Sequence, residues 1–342
     1  MQEKELRERI KSGRLAGCFL LAGEEDYLKR YYLGEIRRAA VTDEAFAPFN
    51  HIVFDGQDMT LAALADAIKA PPMFSDTKLI EWKYPPLGKM REGELKTLEE
   101  ILDTLPDYDY NTIAIIVAAE ELDLGNEKRP SKIARRLGER MNILNFERSG
   151  DTQLLAWLKR HFDNEGIAVD RESLEAMIFR SGRSMDILHS EVKKLSAYLK
   201  ANGRNALSAA DVAEVCSSTP ESDTFALSNA ILERNKRAAF AALDEMKRQR
   251  TDCTMIVGMM AKTYSELLSV TSLKDDGVDV SEIESATGIH PYKVKSYLKA
   301  SRLFKAGAPA AILGELSRVD VGMKWGGVTG YTAIEMFISK CL

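Results

Sequence analysis

Up to residue 147, short apolar runs alternate with longer stretches whose apolar positions recur every three or four residues. The runs are "GCFLLAG" (17–23), "HIVFDG" (51–56), "TKLIEWKY" (77–84), "TIAIIVAA" (112–119) and "MNILNF" (141–146). Several are apolar at nearly every position, as parallel strands covered on both faces are. Between them the helical period predicts helices over 25–39, 59–70, 93–104 and 129–139. This alternation predicts a doubly wound parallel sheet. Its ligand site would lie at the carboxyl ends of the strands, where Gly23 stands.

Beyond residue 147 the strand pattern stops. "DTQLLAWLKRHFDNEG" begins with Asp151 as an expected cap and ends at Gly166. "DRESLEAMIFRSG" and "SMDILHSEVKKLSAYLKANG" each close on a glycine, and "SAADVAEVC" carries a capping box of Ser208 and Asp211. The polar "SSTPESD" (217–223), with Pro220, reads as a linker. Six further helical segments follow: "TFALSNAILERNKRAAFAALDEMKRQ", "CTMIVGMMAKTYSELLSVTSLKDD", "SEIESATG", "HPYKVKSYLKASRLF", "PAAILGELSRVDVGMK" and "TGYTAIEMFISKCL". The expected organisation is an α/β domain over 1–147, a small helical domain over 148–216 and a larger helical domain over 217–342.

Composition narrows the function classes. The chain has 342 residues, 45% hydrophobic and 29% charged, with a net charge of −5. No global basic field advertises nucleic acid, so any such contact is local. The four cysteines are far apart and the four histidines scattered. This spacing offers no metal-ligand set and no disulfide framework, and it fits a reducing cytosol. The charged start "MQEKELRERIKSG" is unlike a signal peptide. No apolar run approaches the roughly 20 residues of a membrane span.

Three stretches carry candidate chemistry. "AGEEDYLKR" (22–30) sits where a phosphate-binding loop, G-x-x-x-x-G-K-[ST], would stand between strand and helix. Gly23 fits the first glycine and Lys29 the lysine. Leu28 replaces the second glycine, and Arg30 replaces the hydroxyl that would ligate Mg²⁺. Glu24, Glu25 and Asp26 would repel a triphosphate. A plain strand-to-helix turn fits these residues better. Glu81 and the pair Glu120–Glu121 are the strand-end acids an ATPase would need, yet without the loop they read as ordinary turns.

The second stretch is "KAPPMFSDTKLIEW" (69–82). Its prolines close the preceding helix and stiffen the chain. Met73 and Phe74 are adjacent, so a regular strand cannot send both into one core. They are either an exposed protein-binding knob or a cap on the local core. The third stretch, 280–298, has the outline of a helix-turn-helix. Lys293, Lys295, Lys299 and Arg302 on and after its second helix are candidates for phosphate contacts. A bundle hairpin with a basic edge has the same pattern.

Taken in order along the whole chain, these segments resemble the delta subunit family of the bacterial DNA polymerase III clamp loader. "FLLAGEEDYLKRYYL", "PPMFSDTKLIEW", "GRSMDILHSEVKKLSAYL" and "GIHPYKVKSYLKASRLF" carry the likeness, with Asp320 and Lys324 in "RVDVGMKWGG". The resemblance implies an AAA+-like α/β module, a helical lid and a helical collar joining a ring of five loader subunits. It implies a cytoplasmic replication protein with no cofactor and no ATPase activity of its own, within a DNA polymerase holoenzyme. The implied partners are the sliding clamp (beta subunit), the tau/gamma and delta prime subunits and, indirectly or weakly, primed DNA. Clamp binding and ring opening map onto Met73 and Phe74, with Met73 standing where many relatives have leucine. A nucleotide-hydrolysing AAA+ protein and a DNA-binding protein using 281–302 are the alternatives.

Overall fold

A computed structural model describes the chain apart from residues 42–44, 57–59, 120–121, 127, 303–306 and 326–329. Two compact units are present, Met1–Gly150 and Asp151–Leu342.

In the first unit the five apolar runs become strands. In chain order its elements are α1 (Glu3–Ser12), β1 (Gly17–Ala22), α2 (Asp26–Ala40), α3 (Ala47–Asn50), β2 (His51–Asp55), α4 (Leu61–Lys69), β3 (Thr77–Lys83), α5 (Glu92–Asp103), β4 (Asn111–Val117), β5 (Gly125–Asn126), β6 (Arg129–Pro130), α6 (Lys132–Gly138) and β7 (Asn142–Asn145). The sheet order is β2-β3-β4-β1-β7, and every pairing in it is parallel. Successive residues of a strand point to opposite faces. Phe19, Leu21, Leu79 and Ile115 therefore pack with Tyr32 and Ile36 of α2. Leu20, Ile80, Trp82 and Ile116 pack with Leu64, Leu98 and Leu137 of α4, α5 and α6. Burial on both faces is why the inner strands β1 and β4 are apolar at nearly every position, while the edge strands β2 and β7 are only partly buried.

The capping chemistry is local. Thr60 accepts the Ala63 N–H at 3.2 Å to start α4, and Ser131 accepts the Ala134 N–H at 3.1 Å to start α6. The short β5–β6 ladder, α1 and α3 are additions to the expected elements.

The second unit contains α7 (Asp151–Asn164), α8 (Arg171–Ser181), α9 (Met185–Ala201), α10 (Ala209–Val215), α11 (Pro220–Leu232), α12 (Lys236–Arg248), α13 (Cys253–Asp275), α14 (Val280–Thr287), α15 (Pro291–Ala300), α16 (Ala308–Lys324) and α17 (Tyr331–Cys341). The Ser208–Asp211 capping box forms as expected. Asp151 is the first helical residue of α7, and its carboxylate pairs with Arg183. It is therefore not the outlying cap.

Pro220 corrects the expected linker. Thr219 accepts the Ser222 N–H at 3.2 Å, Pro220 occupies the first helical position, and Ser222 and Asp223 are buried. Proline suits that position because its missing N–H would have had no helical partner there. The run after it divides at Asn235, which caps α12 by accepting the Ala238 N–H at 3.0 Å. Helices on either side of residue 217 are joined by more than chain. The Phe179 ring lies 5.0 Å from Phe225 and 5.1 Å from Tyr292, and Lys295 reaches buried Glu175 at 2.9 Å. This packing makes 151–342 one unit. The fold class is the expected α/β domain with a parallel sheet followed by helices.

Candidate functional site

Residues 70–76 leave α4, turn and enter β3. Helix α4 cannot continue through Pro71 and Pro72, so its last carbonyls need other partners. The buried Lys78 ammonium supplies them. It donates to the Ala67 and Ile68 carbonyls at 2.6 Å each and to that of Ala70. Tyr110 Oη donates to the carbonyls of Ile68 at 3.0 Å and Lys69 at 2.6 Å. Its ring faces the ammonium at 4.7 Å. Burial pushes the Lys78 amine down to about 8.

At the corner itself, Asn50 holds the backbone of Met73. Its Oδ1 accepts the Met73 N–H at 2.7 Å, and its Nδ2 donates to the Met73 carbonyl at 2.8 Å. Beyond the corner, Ser75 Oγ donates to the Thr77 carbonyl at 3.0 Å and accepts the Thr77 N–H at 3.2 Å. Between these fixed points Phe74 takes φ +51°. A bulky residue is disfavoured in that left-handed region, and such outliers persist only where the surroundings impose them. Phe74 is 82% exposed and Met73 44%. Phe74 has an aromatic neighbour in Phe46, with ring centroids 4.9 Å apart. The pair is therefore exposed rather than a cap on the local core.

The nucleotide-loop frame is filled by the protein's own groups. Gly23 has φ +102°, and a Cβ there would meet the Phe146 carbonyl oxygen at 2.3 Å. Glycine is needed for this close approach of chain to chain. The Glu25 N–H, on the turn whose amides would face a phosphate, donates to Phe146 O at 2.9 Å. Lys29 is 1% exposed, donating to Ala118 O at 3.2 Å and pairing with Asp26 at 2.7 Å. Leu28 is half-buried against the core under α2, and Arg30 lies exposed on the same helix.

Glu81 is fully buried at the centre of β3, bonded by Arg37 of α2 and by His51 Nε2 at 2.8 Å. Burial works to raise this carboxyl, but the bonds from Arg37 and His51 outweigh it and hold the group down to about 2. It is a structural ion pair tying α2, β2 and β3 together. Glu120 and Glu121 lie outside the described residues.

In the helix-turn-helix stretch, Gly288 (φ +65°) turns α14 into α15. Lys293 is buried and pairs with Glu221 at 2.7 Å and Glu266 at 3.4 Å, while Lys295 is held by Glu175. Two of the four proposed phosphate contacts are thus engaged by carboxylates. Lys299 and Arg302 are exposed. Asp320 and Lys324 pair with each other at 2.7 Å on one turn of α16. Among the described residues, no cluster of three or more His, Cys, Asp or Glu side chains is placed to hold a metal ion. None of the described helices is long and apolar enough to cross a membrane.

Comparison with known proteins covers both units. A family model described as "DNA polymerase III, delta subunit" matches residues 19–145, and its C-terminal-domain counterpart matches 221–341. The DNA polymerase III subunit delta of Bacillus subtilis is 22% identical over 339 residues, spanning 97% of this chain and 95% of that protein. The probable DNA polymerase III subunit delta of Aquifex aeolicus is 23% identical over 291 residues, 83% of this chain and 80% of the relative. In fold, the chain is similar to the solved Bacillus subtilis DNA clamp loader delta protein. The TM-score is 0.55 at 20% identity, over 99% of this chain and 98% of that one.

Proposed function

The chain belongs to the DNA polymerase III delta-subunit family, and on that premise we propose that it binds the ring-shaped sliding clamp through Met73 and Phe74 and opens the ring for loading onto primed DNA. The observation that carries this reading is the corner: an exposed phenylalanine held at positive φ beside a half-exposed methionine. An apolar anchor on a braced turn suits insertion into an apolar pocket, because little freedom is lost on binding. Burying the two side chains is worth about 3–6 kcal/mol. A ring under strain needs only a partner that binds its open form better than its closed form, since differential affinity shifts the population. The direct test is binding of the purified chain to the sliding clamp of its own organism. Absence of binding at micromolar concentrations would overturn the proposal.

The wider arrangement follows the same reading. Residues 1–147 act as the clamp-binding AAA+-like domain, 148–216 as the lid and 217–342 as the collar, in a bacterial cytoplasmic loader with tau/gamma and delta prime subunits. Because 151–342 is one compact unit, assembly is best tested with that fragment. It is expected to co-purify with the sister subunits. Full assembly by the 1–150 fragment alone would transfer the role to the first unit.

The chain is expected not to turn over ATP. Lys29 is committed to Ala118 and Asp26, and the Glu25 amide to Phe146. With Mg²⁺-ATP, the purified protein should release no phosphate above background. Hydrolysis that survives repurification and disappears in Lys29→Ala would contradict this.

A further inference from the structure

We infer that Asn50 is a positioning residue for the clamp-binding corner, an inference that rests on the clamp-binding reading above. Asn50 ends the four-residue α3 and is almost fully buried. Its carboxamide presents one acceptor and one donor, the same pair a peptide group presents. Both are used on Met73, at 2.7 and 2.8 Å, as a neighbouring strand would use them. The side chain therefore supplies a rung of ladder where no strand runs.

The position of this rung gives it its consequence. Fixing both polar groups of Met73 sets the peptide plane that leads into Phe74. Ser75 Oγ, bonded to both backbone groups of Thr77, anchors the chain beyond Phe74. Phe74 lies between the two and is left in the left-handed region, with its ring turned outward. Phe46, the residue capping α3, places its ring against one side of Phe74. One short helix thus supplies both the clasp and the ring that steadies the anchor.

Free of the clasp, the corner has no reason to keep φ +51° at Phe74, because a bulky residue relaxes out of that region. The anchor would then sample many directions, and binding would have to order it. Few side chains replace Asn50. Alanine removes both bonds. Aspartate can accept the Met73 N–H, but its second oxygen faces the Met73 carbonyl, acceptor against acceptor.

The test uses the full chain and the sliding clamp. Four proteins are compared by calorimetry and urea unfolding: wild type, Asn50→Ala, the double variant Met73→Ala with Phe74→Ala, and the triple combination. Asn50→Ala is expected to weaken clamp binding roughly tenfold, the ordering cost of two side chains. In the background lacking both anchors it should cause no further loss, since a positioning residue has nothing left to position. Exchange of the amide hydrogen of residue 73 should speed up in Asn50→Ala. Asn50→Asp is carried in parallel, with an intermediate loss expected, so that poor folding of the alanine variant leaves the comparison intact.

If the double variant loses affinity while Asn50→Ala and Asn50→Asp bind like wild type, the positioning role is wrong and the clamp site stands. Equal losses from Asn50→Ala in both backgrounds would also overturn it, because Asn50 would then act elsewhere. A double variant that binds like wild type would remove the clamp site itself.

Discussion

Replacing Met73 and Phe74 together by alanine is expected to weaken binding to the sliding clamp by at least roughly 30-fold, about 2 kcal/mol, on the scale of interface hot spots. Stability should hardly change. Phe74 is 82% exposed and Met73 44%, so little apolar area is lost from the folded chain. Buried residues of this size cost ~2–5 kcal/mol each on truncation to alanine. The bonds that shape the corner use the Met73 backbone and the side chains of Asn50 and Ser75, all of which survive the change. The partial contact between Phe74 and Phe46 is the main loss. Calorimetric titration with clamp and urea melts on one preparation separate the two readings. Unfolding at lower urea with unchanged clamp affinity would mean that the pair serves the core.

The largest effect on stability is expected at Glu81. Against the opposing effect of burial, Arg37 and His51 hold its carboxyl at about 2, where the ordinary value is 4.5. The folded value lies below the unfolded one, so the unfolded chain binds more protons in that window. The stabilisation is therefore complete above about pH 5 and is lost as pH falls from 4.5 towards 2. A shift of this size corresponds to about 3 kcal/mol. Glu81→Gln should forfeit about that much at pH 7, leaving Arg37 without a carboxylate, and should flatten the decline in stability between about pH 5 and 3. Trp82, the next residue of β3, is buried and reports on this region. In a Trp157→Phe, Trp325→Phe background it is the only tryptophan of the chain. Stability profiles that run parallel with pH for the wild-type protein and the Glu81→Gln variant would refute the assignment.

What could be read from the sequence follows from where each signal is stored. The inner strands β1, β3 and β4 are visible because parallel strands buried on two faces are apolar along their length, and the edge strands β2 and β7 by shorter apolar runs. The Ser208 box was visible because its two members are three residues apart. Elements built without a period were not. Helix α3 has four residues, and β5 and β6 have two each. Helix α1 buries only Leu6 among its many charges.

Pro220 shows the limit of local reading, since a proline in polar company marks a helix start as readily as a linker. At the corner after α4, adjacency and the prolines point to exposure of Met73 and Phe74. Asn50 was missed because its partner is 23 residues away and nothing in "FNHIV" announces a clasp. Glu81 was noticed as a strand acid, but its partners come from α2 and β2. Lys293 had the charge of a phosphate ligand, and only tertiary packing brings Glu221 and Glu266 onto it.

The order of strands in the sheet has a consequence during synthesis. β1 is made first yet lies between β4 and β7, with Gly17 opposite Ile113 and Phe19 opposite Asn142. At translation rates of about 5–20 residues per second, roughly a hundred residues separate the strand from its first neighbour, a wait of some 5–20 s. Through that interval "CFLLA" has neither hydrogen-bonded neighbour, so the nascent chain offers a sticky apolar segment to any chaperone at the ribosome exit. A ribosome stalled before residue 111 would hold a chain unable to bury it in the native sheet.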